Sequence, residues 1–176
     1  MIKKVKLTDL FSIESSLQDD KINFDVADIN DIDALPFVSR TAKNNGVTDY
    51  CSPRAGKINK GGVITLALDG STGSTFYQHH DFLSGQNIWI LRPVPERVTD
   101  FSPRVALYLV STITKAVSAY TYNLSLTKTR LKNISINAPM NDDGTLDVTW
   151  ILREMNNLRH IGLLDELPEE RYQILT

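Results

Sequence analysis

Four clusters of polar side chains sit between the apolar runs of this chain. Arg40, Thr41, Lys43, Asn44 and Asn45 form the first, and Lys57, Asn59 and Lys60 the second. Residues 71–78 hold the third (Ser71, Thr72, Ser74, Thr75, Tyr77, Gln78), and Tyr122, Asn123, Thr127, Lys128 and Arg130 the fourth. The chemistry these types support is nucleic-acid recognition. Arginine can give two hydrogen bonds to guanine O6 and N7, asparagine and glutamine can do the same at adenine N6 and N7, and lysine, serine and threonine hold phosphates. Polar residues are equally the ordinary material of turns in a β-rich domain, so composition alone leaves both readings open.

Other chemistries have thinner support. His79-His80-Asp81 looks like a fragment of a metal site, but adjacent strand residues point to opposite sides and the remaining histidine, His160, is far along the chain. No metal site is expected. Asp69-Gly70-Ser71-Thr72-Gly73-Ser74 could offer backbone N–H groups to an anion or nucleotide, yet it lacks the lysine and following helix of a phosphate-binding loop. Cys51, the single cysteine, reads as a polar-loop residue with no matching histidine. It rules out an internal disulfide and a cysteine-rich zinc site. No cofactor is implied and no catalytic constellation emerges.

The elements that must carry these clusters can be read from periodicity. β-like runs begin at Leu35 and Val63, continue at residues 75–78 and 87–91, and are separated by Asn, Asp, Gly and Ser groups. Asp69-Gly70 and Asn44-Asn45-Gly46 predict tight turns with positive φ. Ser102-Pro103 predicts the start of a helix over about residues 103–121, with Ala106, Leu109, Val110, Ile113, Val117 and Tyr120 on one apolar stripe. Alternation over residues 131–136 predicts a strand, and a last helix starts near Asp147 with Ile151, Leu152, Met155 and Leu158 on one face. The fold class expected is α/β in the α+β sense: a mixed, largely antiparallel sheet module with a central amphipathic helix and a C-terminal helix. It would occupy residues 1–155, followed by a short acidic extension over 156–176.

With 176 residues and 41% hydrophobic content the chain can build one sizeable core. No apolar run reaches membrane-spanning length, the N-terminus lacks a signal-peptide pattern, and the expected location is cytoplasmic. Net charge is −2, but its distribution is uneven. Residues 7–33 are acidic with Lys21 as the lone base, residues 36–62 are basic with Asp49 as the lone acid, and residues 101–141 carry bases alone. Such segregation predicts a basic face suited to phosphates; scattered, solvated charge is the other reading.

The serial order of several segments then carries more weight than any one of them. Residues 5–13, the run Leu35-Pro36-Phe37-Val38-Ser39-Arg40-Thr41 with Asn44-Asn45-Gly46-Val47, residues 62–70, Ser74-Thr75-Phe76-Tyr77-Gln78, residues 82–90, the central helix, residues 127–136 and the ending Asp143 to Trp150 follow one another. Together they resemble the target recognition domain of type I restriction–modification specificity subunits, also found in type IIB and IIG systems. The resemblance spans about residues 5–155. It implies a module that reads part of a split duplex DNA sequence and is not an enzyme, methylation and cleavage belonging to partner subunits or domains. It also implies a DNA methyltransferase and an associated endonuclease as partners, with self-pairing as one way to supply two half-sites. Base-reading candidates are Arg40, Thr41, Asn44, Asn45, Ser71, Thr72, Ser74, Thr75, Tyr77 and Gln78. Phosphate candidates are Lys43, Lys57, Asn59, Lys60, Tyr122, Lys128 and Arg130. Three departures stand out: a single recognition unit, a break at Gly162 followed by acidic residues, and Ala138-Pro139 where the family has Leu-Pro. Two alternatives remain: a docking subunit that reads DNA only with its methyltransferase and binds it through the last helix, and an anion or nucleotide site at residues 69–74.

Overall fold

A computed structural model of the chain describes residues 1–120 and 125–166. Its strands are β1 (Ile2–Lys6), β2 (Phe11–Ser15), β3 (Leu35–Val38), β4 (Val47–Cys51), β5 (Val63–Ala67), β6 (Thr75–Gln78), β7 (Leu83–Ser84), β8 (Ile88–Pro93) and β9 (Ser135–Pro139). The helices are α1 (Leu7–Leu10), α2 (Pro103–Val117), α3 (Lys128–Lys132) and α4 (Val148–Asn156). Three sheets result: β2-β8-β5-β6, β4-β3-β7, and the pair β1-β9. Every strand pair is antiparallel except β3 with β7. The expected mixed, largely antiparallel α+β architecture is therefore the one observed.

Strand β5 shows why its sequence is apolar without a break. Ile64 and Leu66 enter one core with Leu91 and the buried stripe of α2, whereas Val63 and Ala67 enter a second with Val38, Phe82, Ile88 and Ile90. Alternate side chains go to opposite faces, and here both faces are covered. Helix α2 buries Val105, Ala106, Leu109, Ile113 and Val117, each worth roughly 1.5–3 kcal/mol where a Val, Leu or Ile is fully buried. Pro103 opens this helix at its first turn, but the Ser102 hydroxyl caps nothing: its backbone N–H donates to Asp100 Oδ1 at 2.7 Å.

The helix start at Asp147 is capped as expected, Oδ1 accepting from the Trp150 N–H at 3.0 Å. The strand expected over 131–136 starts late. Residues Leu131 and Lys132 finish α3, whose N-cap Thr127 accepts from Arg130 N, and only from Ser135 does the chain pair with β1. The short capped helix wins because Thr127 supplies a local hydrogen bond that the alternating pattern does not reveal. Ile161, in a 3-10 turn over Ile161–Glu166, packs on the main core, so the described part of the acidic extension leans on the domain. Among the described residues no helix is long and apolar enough to cross a membrane.

Candidate nucleic-acid interface

Loops from different sheets meet at the end of the molecule where β5 finishes. The hairpin loop 39–46 joins β3 to β4, loop 68–74 joins β5 to β6, and residues 85–87 lead into β8. Register aligns them: Ala67 pairs with Ile88, and Leu68 N–H donates to Asn87 O at 3.1 Å. Ser71 N–H donates to Arg40 O at 3.2 Å, and a Cβ on Gly70 would lie 2.9 Å from Arg40 Cβ. Asn44, Asn45 and Gly46 all have positive φ, which lets the loop bend back so that Asn45 Nδ2 donates to Tyr77 O at 2.9 Å. The loop thereby covers the free edge of β6.

On this end Arg40, Lys43, Asn44 and Asn45 are exposed, and Thr41, Ser71, Thr72 and Ser74 are half-buried. Arg40 Nη1 lies 2.9 and 3.0 Å from the two Asp69 oxygens, and Asp69 Oδ2 also accepts from Asn87 Nδ2 at 2.7 Å. One carboxylate thus orients an arginine and an asparagine side by side, leaving other N–H groups of both available. Asn87 is exposed with φ of 60° and was not among the sequence candidates; Gly85-Gln86-Asn87 looks like any turn until the register is known. Next to it on β8, Trp89 carries Lys128 Nζ 4.9 Å from its ring centroid, a cation–π contact that places α3's first residue beside the same loops. Arg130 is exposed and donates to Ser125 O. Tyr122 and Asn123 lie outside the described residues.

Several candidates are structural instead. Gln78 is 4% exposed, its Nε2 donating to Asn45 O at 3.0 Å and Thr65 Oγ1 at 3.1 Å. Thr75, also 4% exposed, donates to Gly73 O. Asn59 is 3% exposed: its Oδ1 accepts from Leu17 N at 2.7 Å and its amide donates to Phe82 O and Ser84 Oγ. None of the three can reach a base or phosphate without unmaking a buried polar cluster. Tyr77 is half-buried edge-on against Phe101 at 5.6 Å, with its hydroxyl 3.1 Å from His79 Nδ1, and burial raises its pKa.

The basic stretch over residues 36–62 is largely neutralised by folding. Arg40 pairs with Asp69, Arg54 and Lys57 both pair with Asp19, and Lys60 pairs with Asp81 at 2.7 Å, while Lys21 takes the stretch's own acid, Asp49. Hydrogen bonds from the Asn23 side chain, the Asp20 backbone and Lys57 hold the Asp19 carboxyl at about 2. Among the described residues no carboxylate lies within ion-pair distance of Lys43, Lys128 or Lys132. Lys4 and Lys6 add exposed charge nearby, because Lys6 sits opposite Ser135, three residues past Lys132.

The remaining chemistry also resolves. In loop 69–74 the Ser71, Gly73 and Ser74 N–H groups already donate to Arg40 O, Ala67 O and Ser71 O, so three of the backbone donors an anion would use there are taken. Cys51 is not a loop residue: it ends β4, fully buried, and burial followed by the Asp49 charge raises its thiol pKa. A neutral, inaccessible thiol is no nucleophile. His79 and His80 do not diverge; they follow the end of β6 and their rings meet edge to face at 4.5 Å. Strand alternation does not govern them. In α4 Ile151 and Met155 are buried in the domain's own core, and Leu152 packs against it, which leaves Leu158 as the exposed member of the face expected to dock.

Comparison with known proteins points one way. The family model for the type I restriction modification DNA specificity domain matches residues 2–159. The type II restriction enzyme BgcI specificity subunit S.BcgI of Heyndrickxia coagulans is 24% identical over 157 residues, which cover 88% of this chain and 42% of that protein. The crystal structure of a type I restriction-modification system S subunit from M. genitalium superposes with a TM-score of 0.62 at 17% identity, over 89% of this chain and 39% of that one. The HsdS subunit from Thermoanaerobacter tengcongensis gives 0.56 at 17% identity, over 96% and 43%. The chain thus spans about two fifths of the length of these relatives.

Proposed function

Because the chain belongs to the type I restriction modification DNA specificity domain family, we propose that its converging loops read the sequence of duplex DNA for a restriction–modification methyltransferase and its associated endonuclease. The observation that carries this reading is the convergence itself. Three loops distant in sequence bring Arg40, Lys43, Asn44 and Asn45, Asp69, and Asn87 to one end, beside Lys128. Exposed amides and a carboxylate-oriented arginine suit base edges, and unpaired lysines suit the phosphates that flank them. The base-reading set is Arg40, Thr41, Asn44, Asn45, Ser71, Thr72 and Ser74, extended by Asn87; the phosphate set is Lys43, Lys128 and Arg130, extended by Lys132, Lys4 and Lys6.

Lys57 and Lys60 are spoken for by Asp19 and Asp81 and contribute less. Residues 1–155 form the reading unit, with 156–176 an appendage to it. The module itself performs no chemistry; methyl transfer and cleavage belong to its partners, and a second copy of the chain would supply a second half-site. A reader of genomic DNA works in the cytoplasm, where that DNA is. Selection of bound duplexes from a randomised pool at near-physiological salt, against competitor DNA, tests the reading. An enriched short motif is expected; recovery of unrelated sequences with affinity set by salt alone would overturn sequence reading.

A further inference from the structure

Aliphatic side chains that folding ordinarily hides are turned outward in one stretch of this chain. Ile22 is 92% exposed, Val26 66%, Ile29 55% and Ile32 62%. The backbone beneath them is nevertheless fixed. Phe24 and Ala34 are buried anchors, Ala27 N–H donates to Tyr50 O and Ser52 N–H to Asp25 O, both at 2.9 Å, and successive turns close from Asp31 N–H to Asp28 O and from Ala34 N–H to Asp31 O. Each aliphatic left in water forgoes part of the roughly 1.5–3 kcal/mol that full burial would contribute. Four exposed aliphatics within residues 22–32, on a backbone held in place, are more than the scattered single hydrophobics of an ordinary surface and favour an interaction site.

Charge specifies what covers it. Asp25, Asp28, Asp31 and Asp33 alternate with these aliphatics, and among the described residues none of the four has a cation within ion-pair distance. Asp19, just upstream, is by contrast matched by both Arg54 and Lys57. Uncompensated carboxylates repel a phosphate backbone, so this surface is not part of the DNA face. Its complement is a protein surface with lysine or arginine around apolar side chains. The place in the fold agrees: residues 25–27 lie along β4 at the base of the β3–β4 hairpin, whose tip is the loop 39–46. A partner seated at the base would stand beside DNA held at the tip.

The geometry points to residues 22–33 as the docking surface for a basic, apolar-centred face of a protein partner; resting on the function proposed above, that partner is the DNA methyltransferase. The test is to titrate the chain with the purified methyltransferase of its own restriction–modification system, using wild type and the double variant Ile22→Asp, Ile29→Asp. Both positions are exposed, so a thermal melt should show the variant folded. Expected are a loss of methyltransferase affinity of about tenfold or more, unchanged DNA binding, and weakening of the wild-type complex as salt rises. Unchanged affinity in the double variant, or loss with Leu158→Asp instead, would overturn the assignment. So would self-association of the chain that the double variant abolishes, since the occupant would then be a second copy. If the chain binds DNA but no methyltransferase, docking falls alone; if it binds neither, the proposed function falls with it.

Discussion

Asp69 illustrates how one residue sets the behaviour of its neighbours. It is an acid at the centre of the surface proposed to meet DNA, and it holds Arg40 and Asn87 in place. Replacing it by Asn removes a repulsive charge while loosening both readers. Asp69→Asn should therefore tighten binding to scrambled duplexes and narrow the preference for the selected site by about 1–3 kcal/mol, read by paired titrations with both DNAs. A uniform change on both would mean that Arg40 does not read bases. Asp19 acts on stability instead, because its carboxyl is held at about 2 against an ordinary 3.8 and the fold therefore favours its ionised form. That contribution is complete above about pH 4 and disappears as pH falls through 2. Asp19→Asn should flatten the acid-side decline of the unfolding midpoint between those limits, measured by circular dichroism melts across the range. At this scale the sequence was half legible. Residue types announced polar clusters, but whether Gln78 or Asn59 faces water or a buried carbonyl depends on strand register and on a loop folded over an edge, which no local pattern records.

Elements were easier to read than residues where periodicity was long. Strand β5 stands where its pattern puts it and helix α2 starts at Pro103 as expected, because each buries a continuous apolar surface, although α2 ends at Val117, short of the 121 its stripe suggested. Short elements such as α3 and β7 went unread; they exist through one cap or one neighbouring strand. Close approach between elements is equally silent in sequence. Gly61 lies where β5 is about to begin, and a Cβ there would meet His79 O at 2.4 Å and His80 C at 2.5 Å, both backbone atoms that cannot swing aside. Gly61→Ala should cost about 1–3 kcal/mol by urea unfolding, a typical penalty for forced overpacking. A neutral substitution would mean that residues 79–80 can move away from the strand, so that this approach is not a fixed part of the sheet.

Across the whole molecule, charge is arranged by folding more than by sequence. The acidic stretch before residue 34 and the basic stretch after it cancel in part where Asp19 meets Arg54 and Lys57, which leaves basic surface at one end and acidic, apolar surface on one flank. Net charge near zero conceals this polarity. Lys43→Ala and Lys128→Ala should each weaken all duplexes alike and lower the slope of log affinity against log salt by about 0.9, while preference between sequences stays put. An unchanged slope would place the phosphate path elsewhere. The ladder that closes the domain has one more consequence. Met1 donates to Met140 O across 139 residues, and among the described residues β1 pairs with no strand but β9. At about 5–20 residues per second, β1 leaves the ribosome roughly 7–30 s before its partner is made. During that wait it is an open strand edge beside other nascent chains, and Lys3, Lys4 and Lys6 are the charges that keep such an edge from pairing with a stranger. The lysines of β1 thus guard the newborn chain before they ever face a finished one.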